Sequence, residues 1–395
     1  MSIDPDQLAS AEQRPAWAWI DRAALRHNAR RAIALAEGRS VIGVVKADGY
    51  GHGATEVARA LLAEGVARLA VVSVAEGAAL RRDGIGAPIL LLGGIDDAAG
   101  AERALKWGLV PVLHDEHGFA LAQSFGRPDA RLTIELEIDT GMRRMGAAPV
   151  HASTLLARAL DASQLTLGGV FTHLACADEP DLEKSRAQVR ALAALLEEVV
   201  GADEAPPELH VVNSAGLFRR SEIEGALLET TAVRPGLMLY GVSPFADRSA
   251  AELDLEPVMT LAARVVATRR IAPGDSVGYG GEWTADRETT IATLPLGYAD
   301  GIPRSVLARG EVHLAGAMRP IVGRVSMDSV CVDVGDAPVA LGDVATVFGR
   351  TPEGGRVPVE DLARAAGTIG YELLVGVGAR VPRIAADGPP DADAV

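Results

Sequence analysis

The chain has 395 residues, of which 48% are hydrophobic and 23% charged, and its formal net charge is −15. The apolar fraction excludes intrinsic disorder, and the length suits one large domain plus a smaller one. A negative balance of this size repels phosphate backbones and argues against nucleic acid as a partner. Two cysteines, Cys176 and Cys331, are too few for a disulfide framework and lack metal-ligand spacing, so no metal is expected. Both read as buried thiols of a reducing compartment. No apolar run reaches the roughly 18 residues of a membrane helix, so no membrane partner is expected. The opening MSIDPDQLASAEQRPAW has acids and no basic or apolar leader region, which predicts a cytoplasmic location.

In chain order, residues 17–21 read as a strand expected to pair with the C-terminal part of the molecule. Short β-branched or Leu-rich runs then alternate with Ala-rich amphipathic segments. Strands are predicted at 41–45, 69–73, 88–92, 110–113, 132–138, 165–171, 209–212 and 231–240. Helices are predicted at 54–64, 75–83 and 182–200, the last with Leu192, Leu195, Leu196 and Val199 at helical spacing. Eight such units fit an α/β fold, a (β/α)8 TIM barrel, with an open doubly wound sheet as the alternative. After about residue 250 long β-rich stretches appear at 260–271, 289–294 and 312–334, with a short helix at 358–366. They predict a C-terminal mainly-β domain. The expected division is an N-terminal segment over 1–21, a barrel over 22–248, a β domain over 249–386 and a flexible tail over 387–395.

The stretch VIGVVKADGYGHG, residues 41–53, places Lys46 at the C-terminal end of a strand, the edge that carries barrel active sites. Partial desolvation there lowers a lysine pKa and frees the amine for Schiff-base chemistry with a carbonyl, pyridoxal phosphate (PLP) included. Gly49, Gly51 and Gly53 permit a tight turn close to a ligand. A surface lysine before an Asp-Gly turn fits the same residues.

This stretch resembles the cofactor-attachment motif of the bacterial alanine racemases, PLP enzymes of fold type III. DTGMRRMG (139–146), THLACADE (172–179), NSAG (213–216), VRPGLMLYG (233–241), GYGGEWTA (278–285), LPLGYADG (294–301), GRVSMD (323–328) and TIGYELL (368–374) match in the same order. The resemblance implies a barrel plus a β domain, PLP as cofactor, alanine as substrate, and a homodimer with shared active sites. It implies that Lys46 carries the cofactor. Tyr50, Ser214, Tyr371 and backbone groups at Gly236 and Leu237 would hold its phosphate, and hydroxyl and N–H donors suit an anion. Arg234 would bond the pyridine nitrogen and, as a guanidinium, would keep its proton. His210 would support Arg234, and His173 would neighbour a catalytic tyrosine.

Racemisation needs proton traffic on both faces of a planar Cα, hence two opposed acid–base groups. The resemblance makes these Lys46, acting on the D-isomer, and Tyr279, acting on the L-isomer across the dimer interface. A tyrosine pKa near 10 requires nearby positive charge, for which His173, Arg144 and the Arg234 network are the candidates. Arg144 and the Met327 backbone N–H would bind the substrate carboxylate. Asp328 would orient its neighbours, and Tyr298 would gate the entrance.

One position departs from the family pattern. Many members carry a carbamylated lysine seven residues before the arginine matched by Arg144, and this chain has Glu137 there. A carboxylate is also an anionic bidentate acceptor, so Glu137 is expected to orient Arg144 without carbon dioxide. The leading expectation is an alanine racemase, an isomerase that supplies D-alanine for peptidoglycan. A broader amino-acid or serine racemase, a PLP decarboxylase and a non-catalytic PLP-binding protein are the alternatives.

Overall fold

The structure is a computed structural model that describes residues 15–200, 208–225 and 227–388. The first strand, β1 (Ala16–Asp21), is buried throughout. Asp21 ends it and caps the following helix, Arg22–Ala36, by accepting the N–H groups of Ala23 and Ala24. Eight parallel strands come next: β2 (Ser40–Val44), β3 (Arg68–Val71), β4 (Ile89–Leu91), β5 (Val110–Leu113), β6 (Leu132–Glu137), β7 (Leu165–Phe171), β8 (Glu208–His210) and β9 (Ala232–Val233). They pair in sequence order, and β9 returns to β2, closing the barrel. The predicted helices form at Ala54–Ala63, Val74–Arg82 and Glu183–Val199.

The last predicted strand, 231–240, is a correction. Only Ala232–Val233 are strand, and Leu237–Tyr240 form a 3-10 turn. Pro235 cannot donate to a ladder, and Gly236 turns the chain at φ −125, ψ −88, so pairing stops there. The apolar run is explained by burial alone, because Leu237, Met238, Leu239 and Tyr240 all lie in the core.

Beyond the barrel the strands are β10 (Met259–Arg264), β11 (Ala267–Ile271), β12 (Ser276–Val277), β13 (Trp283–Thr284), β14 (Thr289–Leu294), β15 (Glu311–Leu314), β16 (Ala317–Val322), β17 (Val330–Gly335), β18 (Val344–Arg350), β19 (Arg356–Val357) and β20 (Arg383–Ala386). The predicted stretch 260–271 is therefore two strands, and 312–334 is three. Apart from the β12–β13 hairpin they form one ten-stranded sheet with β1, in the order β11-β14-β17-β16-β15-β18-β10-β1-β20, with β19 pairing β18 beside this path. As expected, β1 pairs with the C-terminal part: antiparallel to β10 (Trp19 opposite Thr260) and parallel to β20 (Trp19 opposite Ile384). Its period-2 alternation sends Trp17 and Trp19 to one face and Ala16, Ala18 and Ile20 to the main core. That core runs without a break from barrel to β domain, linking Val44 and Leu61 to Leu294 and Leu374.

Two expectations change at the periphery. Asp387 and Gly388, predicted as tail, are held: Arg26 donates to Asp387, and Trp19 Nε1 donates to the Gly388 carbonyl at 2.9 Å. Residues 389–395 and 1–14 lie outside the described residues. Both cysteines are free and half-buried rather than fully buried. Among the described residues no helix is long and apolar enough to cross a membrane.

The backbone at Gly51 yields a direct check. Its φ is +81, and a Cβ there would stand 2.4 Å from the Leu374 carbonyl oxygen. Gly51→Ala is expected to cost about 2–4 kcal/mol through left-handed strain and that clash. Urea unfolding of the variant against the native chain measures it.

Candidate active site

At the C-terminal end of β2 the chain enters an uncommon conformation. Ala47, Asp48, Gly49 and Tyr50 are all left-handed, with φ between 52 and 61. Side chains on a left-handed turn crowd the following carbonyl, at about 1–2 kcal/mol per non-glycine residue. Identified bonds offset this. The Glu76 carboxylate accepts from the Ala47 N–H at 2.8 Å, and from the N–H groups of Val72 and Ser73. Asp48 accepts from the Ala54 N–H at 2.8 Å. His52 Nδ1 lies 3.1 and 2.9 Å from the carbonyls of Gly49 and Tyr50, and it must be the donor because carbonyls only accept. Arg383 of β20 donates to the Gly51 carbonyl at 3.1 Å. The turn thus fixes Lys46 at the rim of the barrel. Burial and the Arg144 guanidinium lower its pKa, with Glu76 acting in the opposite sense.

Lys46 lines a cavity of about 1000 Å³ together with Tyr50, Arg144, His173, Ser214 and Arg234. Glu137, Gly236, Leu237 and Tyr371 line the same space. At one end, Ser214 Oγ accepts from the N–H groups of Gly236 (2.9 Å) and Met238 (3.3 Å). A Cβ on Gly236 would stand 2.6 Å from the Tyr50 hydroxyl, so only glycine leaves that hydroxyl in place. Tyr50 stacks on Tyr240 with ring centroids 4.5 Å apart, and Tyr240 donates to the Val44 carbonyl at 2.9 Å. Burial raises the phenol pKa of Tyr50, and that of Tyr371 to about 12. Both rings remain hydroxyl donors at neutral pH.

Arg234 follows β9 and is buried. It donates to the carbonyls of His210 (2.8 Å) and Thr172 (2.9 Å), contacts His210 Nδ1, and lies over the Phe171 ring at 4.4 Å. Burial lowers its pKa to about 10, against the pull of Glu137 and Glu135, so it stays a cation at neutral pH. His210 Nε2 lies 2.9 Å from Glu135, and Arg68 bonds both Glu135 (2.6 Å) and Glu208. Glu135, Glu208 and His210 are the one group among the described residues with metal-site spacing. The Arg68 guanidinium already bonds both carboxylates, so the group reads as an ion-pair network.

His173 departs from its expected electrostatic part. Burial, then Arg234, Arg144 and Lys46, push its pKa down to about 3, so it is neutral. The positive charge around it is that of Arg234, Arg144 and Lys46. Glu137 also departs. Its carboxylate lies beside His114, with Nδ1···Oε2 3.2 Å but without hydrogen-bond alignment, and His114 Nε2 lies 3.0 Å from the Leu92 carbonyl. Glu137 forms no ion pair with Arg144 among the described residues. Arg144 is instead carried on a loop pinned by Asp139, which accepts from the N–H groups of Gly141 and Arg143.

Tyr279, Tyr298, Met327 and Asp328 lie outside this cavity. Tyr279 occupies the turn between β12 and β13 and is 73% exposed; Tyr298 and Met327 are also exposed. The loops of Tyr298 and Met327 are joined, with the Tyr298 N–H donating to the Ser326 carbonyl and Ala299 N–H to that of Met327. Arg380 binds Asp300 (2.8 Å) and Asp328 (2.6 Å), fastening both loops. The chain therefore gathers one set of site residues at the barrel rim and presents the other on its surface.

Glu76, His52, His114, Glu135, Arg68 and Arg380 were not singled out from the sequence. Only Glu76 carries a local signal, since Ser73 and Glu76 form a capping box.

The buried histidines set a pH dependence. His52 and His210 have pKa values pushed down to about 4 by burial, and His173 to about 3. These folded-state values lie below the unfolded one, so unfolding takes up protons in acid. Stability is complete above about pH 6.5 and is lost as pH falls toward 4, with a slope approaching about 4 kcal/mol per unit for three groups. Denaturant unfolding between pH 7 and 4 checks it; a flat profile refutes the neutral assignment.

Residues 20–244 match the family of alanine racemase N-terminal domains, and residues 258–385 that of the C-terminal domains. An alanine racemase of Sorangium cellulosum is 40% identical over 382 residues, covering 94% of this chain and 98% of the relative. One from Thermobifida fusca is 41% identical over 377 residues, covering 92% and 96%. Among solved structures, the alanine racemase of D-cycloserine-producing Streptomyces lavendulae superposes with TM-score 0.87 at 34% identity, covering 95% of this chain and 98% of the other. The biosynthetic alanine racemase of Pseudomonas aeruginosa gives 0.85 at 37%, covering 94% and 99%. With both halves of the chain matched in order and the folds superposing along nearly their full length, this chain belongs to the alanine racemase family.

Proposed function

We propose that the chain interconverts L- and D-alanine, using PLP and two opposed proton-transfer groups contributed by two copies of itself. The observation that carries this reading is a single cavity holding a desolvated amine, Lys46, two un-ionised phenols and a buried guanidinium. The donor set fits the cofactor: hydroxyls of Tyr50, Tyr371 and Ser214 beside a glycine cradle suit its phosphate, and Arg234 suits its ring nitrogen. When bound, PLP supplies a carbonyl for amines and a conjugated ring that accepts the electron pair released as the Cα–H bond breaks.

The chain's own groups supply the rest. Lys46 holds or takes a proton at Nζ on one face of Cα, and its lowered pKa favours the free amine. Tyr279 of a second copy serves the other face through its hydroxyl, with the Arg144 and Arg234 guanidiniums supplying positive charge. Arg144 and the Met327 N–H bind the carboxylate; Tyr298 gates the entrance, and Asp328 holds the Met327 loop through Arg380. The exposure of Tyr279, Tyr298 and Met327 supports a homodimer in which these residues complete a neighbour's cavity. The proposed role is cytoplasmic supply of D-alanine for peptidoglycan. The barrel over 22–248 binds the cofactor, and the β domain over 249–386 carries the second base.

A chiral assay across alanine, serine and larger amino acids tests the activity; no interconversion of alanine by the PLP-loaded protein rejects it. Sharing of sites has its own test. Lys46→Ala and Tyr279→Phe are each expected to be inactive alone. Mixed one to one under conditions that exchange subunits, they are expected to regain about a quarter of native activity, because half of the dimers carry one intact site. No recovery despite verified exchange means the two groups act within one chain.

A further inference from the structure

The interior of the barrel holds a file of charged groups that leads away from the cavity. Arg234 lies at its inner end. Its N–H groups only donate, so His210 Nδ1, in contact with Nη1, must accept. The imidazole proton is therefore on Nε2, buried, with Glu135 the acceptor 2.9 Å away. Glu135 and His210 are both fully buried, and an unpaired carboxylate there would be costly. Arg68 supplies the counter-charge at 2.6 Å and spends its other arm on Glu208 at the outer end. The backbone is shaped for this file. Glu208 and His210 are two apart on β8 and so share a face. On β7, Gly169 lies between Glu135 and Glu208, and a Cβ there would stand 2.9 Å from the Glu135 carboxyl carbon.

We propose that Glu135, balanced by Arg68, is a positioning residue for racemisation: it fixes the His210 proton on Nε2, so that Nδ1 and the backbone carbonyls hold Arg234 in one orientation toward the cavity. The proposal rests on the reading of Arg234 as the group that meets the cofactor ring. Glutamine at 135 fills the same volume but has one acceptor and one NH2. With its oxygen toward Arg68, the NH2 faces Nε2 and drives the ring proton to Nδ1, against Arg234. With its oxygen toward His210, the NH2 faces the Arg68 guanidinium without an acceptor. Removing the Arg68 charge resolves the second conflict and leaves the oxygen free to serve Nε2–H.

The test uses the PLP-loaded enzyme with 15N-labelled histidine, read by ring NMR of His210 alongside kinetics for alanine. The native ring is expected to carry its proton on Nε2 alone between pH 5 and 8, on the order of a unit above its pKa. E135Q is expected to lose that signal and about 10- to 100-fold in kcat, with KM changed less than about threefold. The double variant R68M/E135Q is expected to recover the Nε2–H signal and most of the kcat. A merely space-filling Glu135 predicts no effect of Gln and no rescue. Native signal or native kcat in E135Q overturns the proposal, as does a double variant no better than the single, whether through inactivity or failure to fold. An unfolded E135Q beside a folded, active double variant supports it. Absence of racemisation in the native enzyme would refute the function instead, and the ring signals still report on the relay.

Discussion

The left-handed turn over residues 47–50 is the constraint from which the site is built. It converts the end of β2 into a platform for the Lys46 amine, and Gly49 relieves the left-handed strain at only one of its four positions. Its stability comes from elsewhere in the molecule: Glu76 from the next βα unit, His52 from just beyond the turn, and Arg383 from the last strand of the β domain. Arg383 also takes the carbonyls of Val377, Gly378 and Val381, so the same side chain shapes the loop before β20 and latches it to the barrel rim. The amine is positioned by both domains together, which accounts for a core that does not divide between them.

Around that amine stand guanidiniums, beside histidine and tyrosine side chains that burial keeps neutral. His173 and His210 lose their charge to burial, and Tyr50 and Tyr371 keep their protons for the same reason. A low-dielectric space lined by fixed donors acts strongly on any charge that develops inside it, and little reorganisation is needed. Positive charge that cannot be lost at neutral pH stands where anionic groups are to be held.

Much of this was legible in the residues. The barrel strands show as Val- and Leu-rich runs, and the motif order places Lys46, Ser214, Arg234 and Tyr371 in one cavity. What escaped has physical causes. Segment 231–240 looked like a strand because it is apolar throughout, and continuous burial hides the difference between a strand and a tight turn. The break at Val265–Val266 inside 260–271 carries no glycine or proline to mark it. Glu135 and Arg68 lie on β6 and β3, far apart in sequence, and nothing short-range pairs them. His173 kept its place but not its charge, because burial and cationic neighbours are properties of the assembled site. For Glu137 the anion was legible and its partner was not: His114 comes from the adjacent strand end, where only the closed barrel brings it near.

The place of β1 has a consequence for how this molecule is made. Ribosomes release the chain from its N-terminus, and all eight staves of the cylinder are translated before β10 exists. Yet β1 is seated between β10 and β20, and Gly388 closes over the Trp19 indole. Two tryptophans of β1 must therefore wait, without their final neighbours, until β20 has been translated. Long-range pairing of this kind is slow and leaves greasy surface open to wrong contacts. Until β20 is made, Trp17 and Trp19 lack the Ile384 and Ala386 side chains they pack against, and this face of β1 stays uncovered.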